Sequence, residues 1–139
     1  MYVHRSFLIS SLILSLARRM SSSTTTTPAP STYVSGTHSV AYVTVPDEAV
    51  AKKLAHGIVQ ENLAACVNII PKITSVYLWK GEINEDSELL LMIKTRTAKV
   101  DELTTYVRKN HPYEVCEVIS TPIQNGNPPY LNWIGDIVP

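Results

Sequence analysis

Residues 64–96 read AACVNIIPKITSVYLWKGEINEDSELLLMIKTR, and how this stretch folds decides the architecture of the chain. Two long runs of β-branched, aromatic and aliphatic residues flank one polar segment, KGEINEDSE, which predicts a long hairpin. Pro71 interrupts the first run, which places that strand at a sheet edge or puts a bulge there. Leu89 to Ile93 is continuously apolar, as a central strand covered on both faces would be. The hairpin tip has two candidate positions: Gly81 in the turn, or Gly81 at a bulge before a turn at Asn84 to Asp86.

The flanks repeat one pattern on each side of the hairpin. Upstream, His38 to Val45 is a β-rich run stopped by Pro46, and Asp47 then opens DEAVAKKLAHGIVQENL. Val50, Leu54 and Ile58 recur there at helical spacing, with Ala51, Ala55, Val59 and Leu63 widening the stripe; His56 sits at its boundary. Downstream, Thr97 is the expected cap of a helix through residues 98–110, with Val100, Leu103 and Val107 inward and Arg108 and Lys109 in the last turn. Pro112 ends it. Residues 115–123, VCEVISTPI, read as a fourth strand whose alternation sends Glu117 and Cys116 to opposite faces. In PPYLNWIGDIV the two prolines precede a short helix that packs Tyr130, Trp133 and Ile134 on the sheet.

The order β-α-β-β-α-β plus a terminal helix is the ferredoxin-like arrangement, an α+β fold with a four-stranded antiparallel sheet. Right-handed crossovers put both long helices on one face. The other face keeps apolar side chains with nothing left in the chain to cover it, which predicts self-association through that face or the hairpin.

Composition bounds the function. At 139 residues and 45% apolar the chain suits one domain, residues 32–139. Residues 47–139 carry nine basic and twelve acidic side chains, and a mildly acidic domain argues against nucleic acid as a partner. Cys66 and Cys116 are too few for a disulfide scaffold or a Cys-rich zinc site, and they should sit on opposite edges of the sheet. No GxSxG, P-loop or HExxH pattern occurs, so a non-enzymatic role is expected.

Residues 1–31 read as a separate targeting segment or a disordered Ser/Thr-rich tail. The apolar run from Phe7 to Ala17 is eleven residues long, short of a membrane span, and is bounded by Arg5, Arg18 and Arg19 with no acidic residue near. Direction to the secretory pathway or the mitochondrion is expected, with a cytoplasmic form if Met20 starts a shorter product.

Six segments, VTVPDEAVAKKLA, ENLAACVNIIP, ITSVYLWKGEI, LLLMIKTR, HPYEVCEV and NPPYLNWI, occur in order within residues 40–134. Together they resemble the CutA-type divalent cation tolerance proteins, and the YVSG entry resembles animal members. The resemblance implies a homotrimer with sheets packed about an axis and hairpins reaching to neighbours. It implies a response to copper or another divalent cation, with ligands at a first-strand cysteine and at the histidine and last glutamate of the HPY segment. Those positions carry over to Val43, His111 and Glu117, so the soft ligand is missing and the pair needs groups from a neighbouring chain. Animal members also imply a protein partner of the acetylcholinesterase-anchoring type. The bland reading of His111 is a helix C-terminal cation followed by a proline stop. Another reading makes Tyr77, Trp79, Lys94, His111, Tyr113, Glu114 and Glu117 the walls of a cleft between subunits for a small anionic or zwitterionic ligand. The family's acidic residue between the tyrosine and the tryptophan is Leu78 here.

Overall fold

The computed structural model describes residues 33–139. The targeting segment expected at residues 1–31 lies outside the described residues. Strand β1 is His38–Val45, and Asp47 caps helix α1, Glu48–Gln60, its carboxylate accepting the Val50 N–H at 2.8 Å. Asn62, at φ +54°, ends that helix: its N–H bonds Val59 O at 3.1 Å and the Leu63 N–H bonds Ile58 O at 3.0 Å. This pair of bonds is the left-handed helix stop that asparagine tolerates well.

The hairpin is β2, Cys66–Trp79, and β3, Glu82–Arg96. Its tip is the two-residue turn Lys80-Gly81, both with positive φ, as a tight hairpin of matching twist requires. Asn84 and Asp86 are therefore strand residues, opposite Tyr77 and Ser75. The register slips between Ile70 and Ile73, so Pro71 and Lys72 form the bulge that the proline predicted, with Lys72 at φ +61°.

A short 3-10 turn, Thr97–Lys99, leads into α2, Val100–Asn110. Thr97 does not cap this helix. Its hydroxyl bonds Gly36 O at 2.5 Å and Ser39 Oγ at 2.8 Å, tying the turn to the start of β1. Strand β4 is only Ile119–Pro122, which corrects the longer strand expected from residue 115. The reason lies on its neighbour: β4 pairs β1 from Ser39 to Tyr42, and beyond that point the Thr44 carbonyl is taken by the His111 ring. Residues 113–118 have no ladder left to join. Helix α3 is Pro128–Ile137.

The sheet order is β2-β3-β1-β4, antiparallel throughout. Ala41, Val43, Val45, Leu91 and Ile93 meet Leu54, Ile58, Leu103 and Val107 in the main core. Each wholly buried aliphatic side chain there contributes about 1.5–3 kcal/mol. Gly57 allows the two helices to approach: a Cβ there would stand 1.9 Å from the Tyr106 hydroxyl.

Because side chains alternate along a strand, Val40, Tyr42, Thr44, Ile70, Leu90 and Met92 face away from those helices, and all are half-buried. One end of this open face is covered where Leu131 and Ile134 of α3 and Val138 just after it pack with Ala65, Tyr33 and Ile123. Tyr130, half-exposed, meets the sheet at Cys66 of β2, Trp133 is also half-exposed, and Leu131 takes the buried place beside Ile134. The distal half of the hairpin, with Val76, Leu78 and Ile83 exposed, pairs only with itself. Among the described residues no helix is long and apolar enough to cross a membrane.

Candidate functional site

The chain turns sharply at the end of α2, and the turn is built around one imidazole. His111 is the C-cap, its N–H bonded to Val107 O at 2.8 Å. Its ring is 8% exposed. Nε2 lies 2.8 Å from Thr44 O, and Nδ1 lies 3.1 Å from the Tyr113 N, which donates to it. An acceptor at one nitrogen and a donor at the other fix the neutral tautomer protonated at Nε2. The ring is thus a brace between α2, β1 and the loop, set at the helix end before the proline where the sequence reading put it.

The brace throws the following segment outward over the hairpin. Tyr113 tilts against the His111 ring at 4.8 Å between centroids, and its hydroxyl donates to Glu88 Oε1 at 2.9 Å. Glu88 is 5% exposed, so this bond satisfies a carboxylate largely withdrawn from water. On the exposed hairpin the Tyr77 hydroxyl donates to Asp86 Oδ2 at 2.5 Å. Burial and then the Glu88 bond push the Tyr113 phenol well above its ordinary range, and the Asp86 bond raises Tyr77. Both phenols therefore remain protonated donors at neutral pH.

Between the loop and the hairpin lies a cleft of about 920 Å³. Tyr77, Trp79, Tyr113, Glu114 and Glu117 line it together. Glu114 and Glu117 share the cleft, as the sequence reading of a common cleft expected, because the segment that carries them is bent. Asp86 and Glu88 complete a set of four carboxylates, and among the described residues no lysine or arginine lines the same walls. Such a surface concentrates cations.

Three residues expected at the site stand elsewhere. Lys94 faces Cys66 across β2 and β3, is buried, and donates to Asn68 Oδ1 at the far part of the sheet. His111 supports the cleft from behind without lining it. Val43, like Ala41 and Val45, is wholly buried in the helix-facing core and offers no donor. Cys66 and Cys116 are both free thiols, and Cys116 packs at the edge of the main core. Among the described residues no group of three or more His, Cys, Asp or Glu side chains is placed to hold a metal ion by itself.

Sequence reading missed Asp86 and Glu88. The signal was present in the spacing: Tyr77 and Asp86 are near-neighbours across the hairpin once the turn is set at Lys80-Gly81, and Glu88 follows two residues later on the same face.

Comparison with known proteins agrees over the whole described domain. The family model of the CutA1 divalent ion tolerance protein matches residues 39–136. A "Protein CutA homolog" of Xenopus laevis is 66% identical over 113 residues, covering 81% of this chain and 75% of that protein. "Protein CutA" of Mus musculus is 50% identical over 133 residues, covering 96% and 75%. The crystal structure of CutA1 from Oryza sativa superposes with a TM-score of 0.72 at 50% identity, covering 73% of this chain and 94% of that one.

Proposed function

Since the chain belongs to the CutA1 divalent ion tolerance family, we propose that it acts in divalent cation tolerance as a homotrimer holding the cation at a subunit boundary. The observation that supports this reading is the cleft lined by Asp86, Glu88, Glu114 and Glu117, with no basic side chain of the described residues among its walls. Among the described residues the carboxylates fall short of an ion cage, and in this reading a neighbouring copy completes the site. The open face of the sheet and the exposed apolar hairpin give that copy its contact surface.

The donor set decides the strength of binding. Carboxylate oxygens accept Cu²⁺ and Zn²⁺, but without a thiolate or a free imidazole they hold them weakly and discriminate little against Mn²⁺. Copper is the ion we propose first, with Glu117 as ligand. His111 joins the site by positioning Tyr113 and the loop, because ligation by its ring would cost a bond to Thr44 or Tyr113. Calorimetric titration of Cu²⁺ into the full chain tests this. Glu117→Gln should bind on the order of tenfold more weakly, with a smaller loss for His111→Ala. Unchanged affinity in both Glu117→Gln and Glu114→Gln would sink the site.

The second reading is a trimeric scaffold that assists a membrane-bound or secreted enzyme such as acetylcholinesterase. Its support is the half-exposed aromatic pair Tyr130 and Trp133 on α3, 5.4 Å between ring centroids. Absence of any reproducible co-purifying partner, with Trp133→Ala as comparison, counts against it. For residues 1–31 we propose targeting to the secretory pathway or mitochondrion, from their basic and acid-free composition. A fluorescent protein fused to residues 1–31 that stays diffuse in the cytoplasm contradicts that.

A further inference from the structure

The opposite end of β1 holds a second buried histidine, in circumstances unlike those of His111. His38 is 4% exposed, and neither ring nitrogen has a hydrogen-bond partner among the described residues. Its ring lies flat against Tyr33, 5.5 Å between centroids and 6° between planes. Above it passes α3 at Gly135, where a Cβ would stand 3.5 Å from His38 Nε2 and 3.2 Å from Arg96 Nη2. The imidazole and the guanidinium therefore converge under one residue of the helix.

Arg96 is what ties that helix down. Its Nη2 donates to Gly135 O at 2.6 Å, and its Nε donates to Val138 O. The guanidinium thus serves the carbonyls at the end of α3, where a cation is favoured. The groups facing His38 with charge or a titratable proton are Arg96 of β3, Tyr33 of the preceding segment and Asp136 of α3, which lines the same small cleft. Pairing β4 and the residue after it, Ile119 to Ile123, contribute no titratable side chain.

We propose that His38 is an acid-sensitive latch for α3: protonation of its ring releases this helix from the sheet while the main core stays folded. A neutral imidazole at this place already forgoes its hydrogen bonds. A charged one forgoes more and faces Arg96, which cannot give up its own charge. The fold can relieve the cost by lifting α3, which exposes the ring to water and frees the guanidinium. The cost of lifting stays local because Leu131 and Ile134 of α3 and Val138 at its C-cap form a cluster separate from the main core. Burial first, and the Arg96 charge second, lower His38 below the ordinary histidine value, which agrees with this geometry. The consequence is local: release uncovers Ala65 and the end of the open face, and moves Tyr130 and Trp133.

Hydrogen exchange of the full chain between about pH 7.5 and about pH 5, the span over which histidine changes charge, tests the latch. After correction for the intrinsic pH dependence of exchange, the amides of Leu131 in α3 and of Val138 at its C-cap should open more as pH falls. One linked proton makes the opening equilibrium rise toward tenfold per pH unit, and the amides of β1 and β3 should not follow. His38→Gln, which keeps the shape but not the titration, should hold α3 protection constant. His38→Leu checks the same point with an apolar ring substitute, in case the amide is poorly accepted. Three results would overturn the proposal: α3 protection unaffected by pH in the wild type, the same loss in both variants, or core amides opening together with α3.

Discussion

The two ends of β1 carry histidines that are equally withdrawn from water and opposite in consequence. At one end both nitrogens of His111 are bonded, to Thr44 O and the Tyr113 N–H. At the other, neither nitrogen of His38 is bonded among the described residues. Burial alone does not determine what an imidazole does; the local chain path does. His111 follows a helix and precedes a proline, so the chain folds back and delivers an N–H two residues later. His38 lies within a strand whose own N–H and carbonyl are used, by Tyr33 Oη at 3.1 Å and the Ile123 N–H at 2.8 Å, and its ring is left against the Tyr33 ring, Arg96 and α3. The first end is a rigid frame for the acidic cleft, and the second is a weak point that responds to acid.

The largest expected effect breaks the frame. His111→Ala leaves the Thr44 carbonyl and the Tyr113 N–H without their partner and opens a void, and it should cost about 2–4 kcal/mol in urea unfolding at fixed protein concentration. A loss below about 1 kcal/mol would mean the brace is replaceable. Next comes Tyr113→Phe, which deprives the withdrawn Glu88 carboxylate of its donor and should cost about 1–3 kcal/mol.

At the other end the expectation is a change with pH. His38 is held neutral in the fold, its pKa lowered from 6.5, so the unfolded chain binds the extra proton. The stability it permits is complete above the unfolded value and is lost as pH falls below 6.5 toward the folded value. His38→Leu should flatten that acid limb and stay within about 1 kcal/mol of wild type at neutral pH, since it leaves no polar ring atom buried. A steeper acid limb in the variant would contradict the contrast. Smallest in stability is Leu78→Asp on the exposed hairpin, within about 0.5 kcal/mol for the isolated fold. It should nevertheless lower the assembled mass seen by light scattering, because it places a charge on the proposed contact surface.

The element order and the sheet were legible because their signals are local and redundant. The hairpin runs, the stop at Pro46, the Asp47 cap and the bulge at Pro71 each point to the same fold. The site was less legible because it depends on competition between distant groups. Whether VCEV extends a strand is decided by the Thr44 carbonyl, and its capture by a ring 67 residues away is written in no local pattern. Thr97 failed as a cap for a similar reason, since Gly36 and Ser39 offered its hydroxyl better partners. Lys94 has the right residue type for a cleft, but its position in the register places it beside Cys66 and Asn68. The carboxylates Asp86 and Glu88 became visible only once the turn was fixed at Lys80-Gly81.

The central claim is that cations are held by carboxylates at a subunit boundary and that His111 frames the site without ligating. Anomalous diffraction from crystals of the full chain grown with copper tests it most directly. The account predicts a peak within bonding distance of Glu117 and a second carboxylate, beside a neighbouring copy, with the His111 ring still bonded to Thr44 and Tyr113. A peak on a His111 nitrogen, or no peak in the cleft of a trimer or a monomer, would contradict it.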